Sequence, residues 1–307
     1  MIVAVVDIGT NSTRLLIAEV SPDGAVQELD RRSEVTRLGQ GVYARGALSE
    51  EAIERVMDVL EGYHAAIDAA GCERTTAVLT SAVRDADNGS AFSDRVRERF
   101  GFDARVIPGE EEAQLTFAGA MSDRAPDPQR EPAVVIDIGG GSTEFVVGGR
   151  REVIFHASTQ AGVVRLGERH VHHDPPHPGE LEALARDARR IFADGVPAEH
   201  RREVRLAIAV AGTPTALAAI AQELDPYDPH RTHGYVLELG ECEGLLARLA
   251  GMDNATRREL PGLHPDRAPT IVPGAAMLIE AMRLFDLKAV EVSEHDILRG
   301  AALRAAA

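Results

Sequence analysis

One stretch constrains the fold more than any other: Val135-Ile136-Asp137-Ile138-Gly139-Gly140-Gly141-Ser142-Thr143-Glu144-Phe145-Val146-Val147. An apolar strand runs into an acid, breaks at three glycines and resumes as a second apolar strand. Glycines at such a bend let the backbone approach a ligand closely and aim successive N–H groups at it, which suits a phosphate oxygen. Ser142 and Thr143 add hydroxyl donors, and Asp137 at the strand end is placed to hold a divalent cation beside the phosphate. The chain opens with the same device. Val5-Val6-Asp7-Ile8-Gly9-Thr10-Asn11-Ser12-Thr13-Arg14-Leu15-Leu16-Ile17 aligns without a gap at a spacing of 130 residues (137 − 7). Asp7, Ile8, Gly9, Ser12 and Thr13 match Asp137, Ile138, Gly139, Ser142 and Thr143. One Asp-Ile-Gly is common by chance; two with the same flanking strands argue for a duplicated domain with facing phosphate loops.

The rest of the chain fits two copies. Apolar runs and the Ser21-Pro22-Asp23-Gly24 turn predict a three-strand meander over 2–8, 14–20 and 25–36. Ser49 caps a long helix with Glu50 and Glu51 at its positive end, and Gly71 stops it. A strand over 75–81, helix over 90–99, strand over 104–107 and helix over 110–121 complete the first copy. Pro126-Asp127-Pro128 marks the boundary, giving domains 1–125 and 126–307. The second copy has strands over 133–138, 143–148 and 152–158, helices over 162–172 and 179–194, and a strand over 204–210. A helix through Leu224, a loop over 225–235 and helices over 240–250, 254–259 and 267–285 follow. A strand over 289–293 and a helix over 295–306 end the chain.

These motifs resemble the actin, sugar-kinase and chaperone-ATPase superfamily, and in detail the exopolyphosphatase/guanosine-pentaphosphate phosphohydrolase (Ppx/GppA) family. The resemblance continues through Thr80-Ser81-Ala82-Val83-Arg84-Asp85-Ala86, Ile107-Pro108-Gly109-Glu110-Glu111-Glu112-Ala113, Ala211-Gly212-Thr213 and Ile271-Val272-Pro273-Gly274-Ala275. It implies an α/β fold of two ribonuclease-H-like (actin-like ATPase) domains with an interdomain cleft, the last helix returning to the first domain. It also implies a homodimer acting on inorganic polyphosphate or guanosine tetra- or pentaphosphate. One segment departs from it: the usual S-D-x-G-L-R-E-G ending reads Ser293-Glu294-His295-Asp296-Ile297-Leu298-Arg299-Gly300, with Asp296 in place of glycine.

Glu110-Glu111-Glu112 opens a helix, where acids suit the helix dipole; hydrolysis of a phosphoanhydride also needs a carboxylate to orient and deprotonate water. The resemblance puts the catalytic glutamate at Glu112, with Glu111 in reserve. Asp137 and Glu144 are the expected Mg2+ ligands, and Asp7 is the equivalent acid in the first loop, acting through water. Thr10, Asn11 and Ser12, with Gly139, Gly140, Gly141 and Ser142, are the expected phosphate cradles. Arg84, Arg267, Gly212 and Thr213 join them through the resemblance, with Arg14 and Arg165 as lesser candidates. His170, His172, His173 and His177 are read as solvated, since they lack the spacing of a metal-ligating set.

A net charge of −16 argues against nucleic acid, which needs a broad basic surface. An anionic substrate then requires a local positive site, because carboxylates more than about 10 Å away are screened. No apolar run reaches the ~20 residues of a membrane span, the strand beginning near residue 2 leaves no room for a signal peptide, and two cysteines make no disulfide framework. The expected compartment is the cytoplasm. A non-catalytic alarmone sensor and a kinase of the same superfold are the alternatives.

Overall fold

A computed structural model of the chain describes residues 1–125, 127, 129–149, 153–202 and 204–307. Pro126, Pro128 and Glu152, on which the expected boundary and one strand start fall, lie outside the described residues. The chain divides into two units, Met1–Arg124 with His295–Ala307, and Ala125–Glu294.

In the first unit, β1 (Ile2–Ile8), β2 (Thr13–Val20) and β3 (Val26–Glu34) form the antiparallel meander, followed by α1 (Val42–Arg45) and α2 (Glu50–Ala70). Then come β4 (Arg74–Leu79), α3 (Ser81–Arg84), α4 (Gly89–Phe100), β5 (Asp103–Val106) and α5 (Gly109–Met121). The sheet order is β3-β2-β1-β4-β5, with β4 and β5 parallel to β1. β1 is buried on both faces, as a near-continuous apolar run requires. Ala4, Val6 and Ile8 pack with α2 residues such as Met57 and Leu60, whereas Val3 and Val5 pack with Leu115 of α5 and Leu298 of the chain's last helix. Strand parity therefore turns Asp7 to the second of these faces.

The second unit begins with β6 (Ala133–Ile138), β7 (Thr143–Gly148), β8 (Val153–Thr159), α6 (Val163–His170), α7 (Pro178–Gly195) and β9 (Leu206–Val210). It continues with α8 (Gly212–Ala221), α9 (Pro229–Thr232), β10 (Val236–Glu238), α10 (Leu239–Ala250), α11 (Asn254–Arg258), α12 (Ala268–Leu284) and β11 (Ala289–Val292). Its sheet order β8-β7-β6-β9-β11 repeats that of the first unit, with β10 added antiparallel at the edge. Both copies are ribonuclease-H-like, a meander followed by parallel strands with helical crossovers. The last helix, α13 (Ile297–Ala306), belongs to the first unit and crosses α5 in backbone contact: a Cβ on Gly300 would lie 1.9 Å from the Leu115 carbonyl oxygen.

The structure corrects three local expectations. The strand expected over 75–81 ends at Leu79, because Thr80 leaves extended geometry and Ser81 starts α3. The loop expected over 225–235 contains α9, started by Asp228, whose side chain accepts from His230 N. The edge strand β10 was not expected at all; its three residues owe their form to pairing with β11, which no local signal announces.

Candidate functional site

Parallel strands gather their carboxyl ends at one sheet edge, and open α/β sheets bind ligands there. In the first unit that edge holds the β1–β2 loop, the β4–α3 junction and the start of α5. Gly9 N donates to Ser12 O at 3.0 Å, and Gly139 N to Ser142 O at 3.0 Å, so both loops fold into the same turn. The repeat is thus one of shape as well as letters.

The first loop is held by its neighbours. Thr10 is buried and its Oγ1 accepts from Ala82 N at 3.2 Å, which ties the loop to α3; Asn11 and Ser12 are half-buried. Gly39 N donates to Thr10 O at 2.8 Å and Arg37 N to Asn11 O at 2.9 Å. At the other end of α3, Arg84 Nη1 donates to Ile107 O at 2.9 Å and to Glu112 Oε2 at 3.0 Å. Glu112, in the first turn of α5, is 8% exposed. Glu111 points elsewhere: it pairs with Arg105 at 3.3 Å and with Arg304 of α13. The two candidate bases therefore differ in surroundings, Glu112 beside the expected phosphate-binding arginine and Glu111 in an ion pair on the flank.

In the second unit, Asp137 and Glu144 stand directly opposite one another in the β6/β7 ladder. Both are buried, and opposed residues of an antiparallel pair project to the same face with Cβ atoms about 5 Å apart. Like charges so placed repel. A hard cation with oxygen ligands relieves that repulsion, so this donor set fits Mg2+. Ser158, opposite Glu144 in the β7/β8 ladder, donates to Glu144 Oε1 at 2.7 Å. Sequence reasoning missed Ser158 because strand register is not written locally. The loop itself is braced by α6: Val163 N and Val164 N donate to the carbonyls of Gly139 (3.0 Å) and Gly140 (2.8 Å), and Arg165 Nε to that of Gly141 (2.7 Å). Ser142 is buried at its corner.

Ala211 precedes α8 with φ 72° and ψ −172°, a region that residues with a Cβ rarely enter and that costs about 1–3 kcal/mol. Such strain is concentrated at ligand sites. Gly212 follows, and Arg267 lies across it so closely that a Cβ there would sit 1.3 Å from Nη1. Thr213, buried, packs against Gly274 of α12. The expected phosphate ligands Gly212, Thr213 and Arg267 thus adjoin one another at the end of β9.

In the first unit Asp7 has a different partner from Asp137. Arg14, opposite it in the β1/β2 ladder, donates to Asp7 Oδ2 from Nε at 2.8 Å and Nη2 at 2.6 Å. Arg14 Nη1 reaches Asp296, whose other oxygen caps α13 by accepting from Leu298 N at 3.1 Å. Burial pushes the Asp7 carboxyl above the ordinary aspartate range, against the pull of Arg14. Burial also opposes the Asp296 carboxylate, but the Arg14 and Arg31 charges prevail and hold it below that range. Asp296, the residue that departs from the resembled ending, is therefore a helix cap and an ion-pair partner.

The histidines expected to be solvated have polar partners: His170 Nε2 lies 3.0 Å from Asp187 Oδ2. His173 and His177 bring nitrogen atoms within 4.8 Å of Glu180, but Glu180 is engaged as the cap of α7. Its Oε1 accepts from His172 N (3.0 Å) and pairs with His173 Nδ1 (2.8 Å), while Oε2 accepts from His177 N (2.9 Å). Among the described residues, no helix is long and apolar enough to cross a membrane.

The model of the Ppx/GppA phosphatase family matches residues 16–304. Exopolyphosphatase 2 of Mycobacterium tuberculosis is 37% identical over 98% of this chain and 97% of its own length. Among solved structures, one described as an exopolyphosphatase-like protein superposes with a TM-score of 0.91 at 32% identity, covering 99% of this chain and 98% of the other. The Ppx/GppA enzyme of Aquifex aeolicus superposes with a TM-score of 0.81 at 30% identity, covering 99% of each chain.

Proposed function

The chain belongs to the Ppx/GppA phosphatase family, and from that premise we propose that it is an exopolyphosphatase, hydrolysing the terminal phosphoanhydride bond of inorganic polyphosphate to release orthophosphate. The observation that supports this reading most is the pair Arg84–Glu112, a buried carboxylate 3.0 Å from a guanidinium at the carboxyl edge of the first sheet. Glu112 orients the attacking water and takes its proton. Arg84 takes a phosphate oxygen, and a substrate phosphate drawing on this guanidinium leaves Glu112 freer to act as a base. Thr10, Asn11 and Ser12 are the phosphate contacts of the first unit, and Gly139, Gly140, Gly141 and Ser142 those of the second. Gly212, Thr213 and Arg267 add a further phosphate contact in the second unit. Asp137 and Glu144 would hold a divalent cation, Mg2+ by preference, which supplies neutralising charge to the phosphoryl oxygens. A chain of repeated phosphates suits repeated N–H cradles. Action in the cytoplasm as a homodimer completes the reading.

The test is phosphate release by the purified protein from long-chain polyphosphate, tripolyphosphate and guanosine pentaphosphate, with Mg2+, beside Glu112→Gln. Release from polyphosphate is expected to be fastest, and the variant to lose about 10²- to 10⁴-fold. Full activity in Glu112→Gln would remove the mechanism. Turnover of guanosine pentaphosphate alone, or tight alarmone binding without turnover, would replace the substrate assignment.

A further inference from the structure

The two copies keep the same acid but change the residue facing it. Asp137 faces Glu144; Asp7 faces Arg14, and the gapless repeat puts Arg14 and Glu144 in the same place. The second copy therefore gathers two negative charges, and the first supplies its own positive one. We infer that Asp7, Arg14 and Asp296 form a metal-free charge triad in which the guanidinium balances the first-loop carboxylate, as a divalent cation would balance the acid pair of the second loop, with Asp296 as the positioning residue that aims Arg14. This rests on reading Asp137 and Glu144 as the cation pair, and it removes Asp7 from the ligand set.

Two features of the geometry support it. Both Nε and Nη2 of Arg14 converge on one Asp7 oxygen at 2.8 and 2.6 Å. A dication brought to that carboxylate would meet the guanidinium charge within a few ångströms. The double charge of the ion doubles the repulsion that a single charge would meet there. The third nitrogen group, Nη1, is engaged from the far side by Asp296, buried at the N-terminus of α13, where the helix dipole also favours a carboxylate. Although burial works against its charge, Arg14 is held above the usual arginine range by these two acids. The guanidinium is thus permanently charged and fixed in direction, as a bound ion would be.

The experiment counts ions without using turnover. Mn2+ is titrated into the full-length protein and free ion is followed by electron paramagnetic resonance, for wild type, Asp7→Asn and Asp137→Asn, with circular dichroism checking each fold. One ion per chain is expected in wild type, and Asp7→Asn is expected to keep it with less than about a threefold change in Kd. A second ion that disappears in Asp7→Asn, or a larger loss of affinity there, overturns the triad. Retention of the ion in Asp137→Asn would instead overturn the site reading beneath it, so the two failures are distinguishable. For Asp296, the variant Asp296→Asn keeps a capping oxygen for Leu298 N but loses the charge. Hydrogen exchange of the Arg14 Nε–H, read by NMR, is expected to speed up by about tenfold or more. An exchange rate equal to wild type in a folded Asp296→Asn protein shows that Asp296 does not position Arg14 and overturns that part.

Discussion

Replacing Gly300 by alanine is expected to loosen α13 from α5 and, through it, the hold on Arg14. The added Cβ would lie 1.9 Å from the Leu115 carbonyl oxygen and 2.7 Å from its carbon, both backbone atoms that no rotamer change can remove. Ordinary contact begins near 3.4 Å, so the helices must part by some 1.5 Å (3.4 − 1.9) at the crossing. Ile297 and Leu298 of α13 are 3% and 0% exposed, and burying each fully stabilises by about 1.5–3 kcal/mol. A gap of even 0.5–1 Å forfeits roughly a quarter to a half of a contact's energy. The expected loss is about 3 kcal/mol, at the top of the usual range for overpacked cores. Because every 1.4 kcal/mol is tenfold, amides of α13 that exchange by this opening should exchange about a hundredfold faster. Hydrogen exchange by mass spectrometry, resolved to peptides covering 297–306, measures this directly. Gly62→Ala in α2 is the control: its Cβ would meet nothing within 4 Å, and alanine there should stabilise by about 0.5–1 kcal/mol. Unchanged protection of α13 in Gly300→Ala would refute the close-crossing account.

Two further outcomes follow from local geometry. Ala211→Gly should relieve the positive-φ strain at the start of α8 and raise stability by about 1 kcal/mol net of glycine's entropy cost, read as a higher Tm by calorimetry; a lower Tm would show that the backbone there is not strained. Asp187, in α7, keeps its pKa near 2, against 3.8 as its ordinary value; burial opposes this, and hydrogen bonds from His170, Arg190 and Arg169 outweigh it. Its folded pKa is depressed, so its contribution to stability is present above pH 3.8 and is lost as pH falls toward 2. Thermal melts at stepped pH should show this acid loss shrinking in Asp187→Asn, and identical acid profiles would count against it.

Much of the architecture was legible because its causes are local. Apolar runs made the meanders, Ser49 and Gly71 bounded α2, and the paired Asp-Ile-Gly loops announced two copies of one sheet. Reading Glu111 and Glu112 was harder. Sequence placed both at the start of α5, but only packing turned Glu112 toward Arg84 and sent Glu111 to Arg105 and Arg304. The strain at Ala211 was illegible, since alanine gives no signal of positive φ. β10 and α9 were missed because each is too short for periodicity to show.

What the sequence determined by itself is the repeat: two acid-tipped strands, two glycine bends and a recurring succession of strands and helices along the chain, since glycine's freedom and strand periodicity act over a few residues. Only the tertiary structure decided how each acid is balanced. Asp296 meets Arg14 from 282 positions away because α13 lies against α5 and β1, and Ser158 meets Glu144 because of a register between strands. Charge pairing depends on which surfaces pack together, and that is settled by the burial of apolar faces across the whole unit rather than by the neighbours of any one residue.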